Sequence, residues 1–262
     1  MPFTPTHILA VVPVRYIWPR SVPFSALVIG STVPDWPLFI SVGPSYHIMH
    51  SFKGILTASI PLGFTLYLVF QILLKRPLFE LLPYPFRQRL QVFLKPPKLF
   101  HPQNLAGAII AIAIGAMTHI IWDAFTHKNQ WGVQVFPLLN ETFQRVAGSD
   151  IHGYELLQYG STVIGTPILL LCLRAWFRSS HPQSIPPSVL PKKIRTLWIS
   201  SIVFIPLVFS IFTATQFLAF PITVDLIKLV IFKSITQAGF VLFCILTAYS
   251  FCFYPLIKGR VS

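Results

Sequence analysis

Five stretches of this chain, 54–74, 104–122, 156–173, 197–220 and 234–257, contain no Asp, Glu, Lys or Arg. Each approaches or exceeds the roughly 20 residues that a helix needs to cross a 30 Å hydrocarbon core. A soluble domain of 262 residues has no room to bury five such segments, and charged residues make up only 10% of the chain. Soluble domains carry about 25%. The expected fold class is therefore all-α: a polytopic transmembrane helical bundle forming a single integral membrane domain over 1–262. Cys172, Cys244 and Cys252 lie inside apolar runs without metal-ligand spacing and read as small packing residues.

A sixth segment, 23–42, is less regular. It contains Pro34, Asp35 and Pro37. The prolines remove backbone donors, and an aspartate in lipid must face protein or water. The segment reads either as a broken spanning helix or as an interfacial hairpin, giving six or five spanning helices. The opening, MPFTPTHILAVVPVRY, lacks a basic region before its apolar stretch and does not read as a signal peptide; Thr6 is placed to cap a helix starting at His7.

The chain carries a net charge of +13, unevenly spread. Lys75, Arg76, Arg87, Arg89, Lys95 and Lys98 face only Glu80 within the proline-punctuated stretch 75–103. Arg174, Arg178, Lys192, Lys193 and Arg195 gather in 174–197. By the positive-inside rule both stretches and the C-terminus are cytoplasmic, and 127–155 and 221–233 lie outside. The expected location is a plasma membrane, with the excess positive charge facing anionic lipid. Nucleic acid is not an expected partner, because the basic loops contain no recognition module.

Acids are scarce, so their placement is informative. In GAMTHIIWDAFTHKNQWG, His119, Asp123 and His127 follow at i, i+4 and i+8 on one predicted helix. Each step rises about 6 Å, so a regular helix puts His119 and His127 about 12 Å apart, too far to share one ion. His119 and Asp123 can share an ion, or Asp123 can sit between two. Alternatively, His127 leaves the helix and folds back near Asn129, Trp131 and Gly132. In the six-helix topology His50, from SYHIMHS, and Asp35 come to the same outer membrane face, with His7 on the opposite side. His7 joins them if the N-terminus reaches that face. A divalent metal suits this donor set, zinc foremost. Asp35 and Asp123 are the candidate catalytic carboxylates; His7, Asp35, His50, His119, Asp123 and His127 are the candidate metal ligands. His47 reads as a rim residue, and His101, His152 and His181 as loop histidines. Gln158, Tyr159 and Ser161 are placed to hydrogen-bond to the site or to a substrate, with Gly160 and Gly165 allowing close helix packing. Trp36, Trp122 and Trp131 read as interfacial anchors.

These motifs (MPFTPTHILAVVP, SALVIGSTVPDWPLF, MHS, GAMTHIIWDAFTH and LLQYGSTVIG) resemble the DUF4184 family of uncharacterised bacterial membrane proteins over roughly 1–173. More distantly, the chain is similar to the YdjM-type membrane-bound metal-dependent hydrolases. That likeness implies a site built from His7, Gly30, Ser31, Pro34, Asp35, His50, His119 and Asp123. Zinc-dependent phospholipase C also carries a helical His-x-x-x-Asp pair, although the following His127 departs from its spacing. The expected activity is metal-dependent hydrolysis of a lipid or phosphodiester near the outer face, with membrane lipid as partner. The rival readings are a proton-coupled transporter and a structural membrane protein with buried polar histidines.

Overall fold

The computed structural model describes residues 4–17, 22–40, 43–95, 101–146, 149–217 and 222–261. Lys98 lies outside these, as do Arg20, Pro96, Pro97, the ends of the 23–42 and 197–220 segments at Val42 and Phe220, and the side chains of Lys258 and Arg260.

Among the described residues, five helices are long and apolar enough to cross a membrane: Phe52–Leu81, Pro102–Thr126, Gly153–Ser179, Lys192–Phe217 and Val224–Leu256. Their outward side chains are large and apolar: Val163, Leu170, Phe204, Val208 and Phe212 are all at least 60% exposed. Such faces need lipid or protein to cover them, which is compatible with a multi-pass membrane protein. The sixth segment is broken as expected. A nine-residue helix, Phe24–Thr32, gives way to a 3-10 turn, Val33–Asp35, and then to the short helix Trp36–Phe39.

Several helices outrun their apolar stretches. Lys192–Phe217 begins in a basic turn, and the last helix begins at Val224, before Lys228 and Lys233. The stretch from 75 is not simply a loop: the Phe52–Leu81 helix continues through Pro77. Wide π turns at Ile55–Ser59 and Phe70–Leu74 precede Pro61 and Pro77. A proline ring collides with the carbonyl four residues back, and both of those carbonyls lie within the widened turns. An antiparallel hairpin, Thr142–Val146 with Ser149–His152, also emerges that apolar periodicity did not signal.

The chain falls into two compact units. One comprises Met1–Tyr67, Lys98–Arg174 and Pro221–Ile227. Its core packs Val11, Ala26, Leu27, Tyr67, Ala108, Ala111 and Ile112, and Ser149 Oγ donates to Asp225 Oδ2 at 2.8 Å. The 127–155 stretch thus meets the start of the last helix at Asp225.

The other unit comprises Leu68–Pro97, Ala175–Phe220 and Lys228–Ser262. Here the basic stretches also meet each other, but not every cation is left for lipid. Glu80, fully buried, pairs with Arg76 (2.9 Å) and the buried Arg87 (3.2 Å) and accepts from Ser188 (2.8 Å). Arg195 Nη2 donates to the carbonyls of Leu81 (3.2 Å) and Leu82 (2.8 Å), where the first spanning helix ends without its own donors.

Candidate metal centre

The Phe24–Thr32 and Pro102–Thr126 helices touch backbone to backbone. A β-carbon at Gly115 would lie 2.5 Å from the Ser31 nitrogen, and one at Gly30 would lie 2.7 Å from the Ile112 α-carbon. Glycine is what permits this approach. It brings the Ser31 carbonyl to the His119 ring, where Nδ1 donates at 2.8 Å. Directly after this crossing the Val33–Asp35 turn, with Pro34 interrupting the helix, swings Asp35 into the interior. Thr4 Oγ1, in the first turn of the described chain, donates to Asp35 Oδ2 at 2.7 Å. That bond leaves Oδ1 to face the centre.

His50 is fixed from another direction. It ends the short Tyr46–Met49 helix, which Ser45 caps, while Ser51 caps the helix that follows. His50 Nδ1 lies 3.1 Å from the Tyr46 carbonyl, and the Tyr46 ring stacks on the imidazole at 3.8 Å. A carbonyl oxygen can only accept, so Nδ1 carries the proton in both histidines. In the neutral rings each Nε2 therefore presents a lone pair.

These lone pairs converge with two carboxylate oxygens. His119 Nε2 lies 3.3 Å from His50 Nε2, and each nitrogen is 3.3 Å from Asp123 Oδ2 and 3.6 Å from Asp35 Oδ1. One ligand atom from each of Asp35, His50, His119 and Asp123 lies within 4.8 Å of all the others. Asp35 Oδ1 and both Asp123 oxygens lack any hydrogen-bond donor, and the four side chains are at most 4% exposed. Four acceptors pointed at one spot in a dry interior repel one another unless protons or a cation stand between them. Ligands about 2.1 Å from a tetrahedral zinc lie about 3.4 Å apart, which the His–His and His–carboxylate separations of 3.3–3.6 Å approach. The group can thus hold a metal ion. Its two imidazoles are oriented by backbone carbonyls in the manner of metal-ligating histidines.

His7 and His127 flank this group without belonging to it. The His7 ring stacks on His119 at 3.8 Å with only 18° between planes, and its Nε2 lies 3.5 Å from Asp123 Oδ1. Burial, together with neighbouring His119, presses the His7 pKa down to about 3 against the pull of Asp123 and Asp35, so the ring is neutral at ordinary pH. For His50, burial is outweighed by the Asp123 and Asp35 carboxylates, which hold its pKa above the usual value. His127 does leave the helix. Thr126 is the last helical residue, and His127 is extended (φ −128, ψ 137). Its Nδ1 consequently returns to 3.6 Å from Asp123 Oδ2. The chain then reverses through Asn129, in the left-handed region at φ 64, and Gly132 packs against the Ala124 carbonyl.

Gln158 Nε2 faces His127 Nε2 at 3.1 Å, as a neighbour of the site should, whereas Ser161 bonds back to its own helix at the Gln158 carbonyl. His47, His101 and His181 are exposed, and His152 stacks on Tyr154 and bonds to the Asn140 carbonyl. Gly165 packs closely on Thr6 and Leu9, but Gly160 faces open space. Thr6 sits within the 3-10 turn Thr4–His7 rather than ahead of a helix at His7. Two contributors were missed from sequence: Thr4, which holds Asp35, and Tyr46, which holds His50. Both act through contacts that no local spacing encodes.

The family model described as domain of unknown function (DUF4184) matches residues 1–251, which takes in the apolar last third as well as the motif-bearing part. No curated protein and no solved structure matches the chain.

Proposed function

We propose that this chain, which belongs to the DUF4184 family, is a membrane-embedded metal-dependent hydrolase acting on a lipid or other phosphodiester beside the membrane surface. One observation carries the reading: one buried ligand atom each from Asp35, His50, His119 and Asp123 lies within 4.8 Å of all the others, and the carboxylate oxygens among them have no hydrogen-bond partner. The donor set of two oxygens and two nitrogens suits zinc. A bound zinc ion would lower the pKa of water and polarise a phosphoryl or acyl oxygen.

The protein's own groups supply the rest. Hydrolysis adds hydroxyl to phosphorus and a proton to the departing alcohol. Of the two carboxylates, Asp123 keeps Oδ1 outside the four-atom group and is the candidate to take the attacking water's proton, while Thr4 keeps Asp35 Oδ1 turned toward the centre. His127, at 18% the most exposed of the cluster's side chains, lies on the side a substrate reaches first, steadied by Gln158. The cluster sits at the end of the Pro102–Thr126 spanning helix, the depth at which a lipid headgroup meets water. We assign the site to the outer face of a plasma membrane, with the C-terminus cytoplasmic, from the charge asymmetry.

The test is metal content and phosphodiesterase activity of protein purified in detergent. Wild type should carry bound zinc and cleave a fluorescent phospholipid; His119→Ala and Asp123→Ala should lose both. Wild-type protein without metal after zinc-supplemented expression would refute the reading.

A further inference from the structure

We infer that His7 and Asp123 form a second cation site beside the first, with the Asp123 carboxylate bridging the two. This rests on the first centre being a metal site. The observation behind it is a second pair of unpartnered atoms. His7 Nε2 and Asp123 Oδ1 both lack a hydrogen-bond partner, their side chains are 1% and 4% exposed, and they lie 3.5 Å apart. Neither atom is used by the four-atom group, in which Asp123 takes part through Oδ2.

The ring geometry agrees. His7 and His119 are stacked almost parallel at 3.8 Å, and their Nε2 atoms address different oxygens of one carboxylate. Cations held on those two nitrogens would be separated by about the ring spacing, and paired-metal hydrolytic sites hold their ions about 3.5–4 Å apart. A neutral imidazole has one N–H and one lone pair; Nε2 is the buried ring atom without a partner, and Asp123 Oδ1, 3.5 Å away, also lacks one, so a cation between them would satisfy both.

Manganese titration of the full-length protein in detergent, followed by electron paramagnetic resonance, tests the inference. Wild type should bind about two equivalents and show an exchange-coupled signal. His7→Ala should bind about one equivalent and show only the uncoupled signal. His7→Gln, which keeps most of the volume, should behave alike and guards against misfolding of the alanine variant. One equivalent in wild type, or two in both variants, would overturn the second site and leave the first intact. No binding in wild type would remove both.

Discussion

Replacing Gly115 with alanine sets two effects of opposite sign against each other. Alanine is the better helix former by about 1 kcal/mol, so propensity alone makes Gly115→Ala stabilising. The packing says otherwise. The new methyl would lie 2.5 Å from the Ser31 nitrogen and 2.7 Å from the Gly30 carbonyl carbon, roughly 1 Å inside ordinary contact. Backbone atoms cannot rotate away, so the two helices must separate by about that much, and overpacking of this kind costs about 1–3 kcal/mol. The separation also falls on the 2.8 Å bond from His119 Nδ1 to the Ser31 carbonyl. Stretched by about 1 Å, that bond is lost, and loss of an outer-shell partner lowers metal affinity by about 10–100-fold. Zinc affinity by competition with a chelating dye, and thermal unfolding in detergent, read the two consequences. Gly160→Ala is the control: a β-carbon there meets nothing within 4 Å, so it should leave affinity unchanged and stability equal or slightly higher. Wild-type affinity in Gly115→Ala, with an unchanged or raised melting temperature, would refute the reasoning.

Thr4→Val should weaken zinc binding by about 10–100-fold through loss of the donor to Asp35 Oδ2, and Thr4→Ser should restore it. Affinity should decline steadily as pH is lowered from 8 to 5. Ligating imidazoles must be unprotonated, and the carboxylates beside His50 hold its pKa above 6.5, so protons compete from above that pH; a flat affinity profile would contradict the assignment. Chelation should lower the melting temperature, because a cation bound only by the folded state stabilises it, and added zinc should restore it.

Much of the architecture was written in apolar runs, and the site residues stood out because polar side chains are rare among them. Asp35, His50, His119 and Asp123 are legible together because the six-helix topology brings these acids and imidazoles to one face. Helix limits were less legible, since Arg195 and Lys233 bound apolar runs without bounding the helices that contain them. His127 was misleading by spacing alone: its position follows from one extended residue after Thr126. Thr4 and Tyr46 were not legible, because a threonine bonded 31 residues away looks like any other threonine. The burial of Arg87 on Glu80 was equally hidden, because counting loop charge does not reveal which cations are paired.

The four convergent ligands also set an order of events during synthesis. Asp35 and His50 leave the ribosome well before His119, which follows 69 residues after His50. At about 5–20 residues per second, His50 waits roughly 3–14 s for His119. Over that interval the carboxylate and imidazole bound for the interior lack their later partners, so on the metal reading an ion would enter last, as the clasp that closes the site.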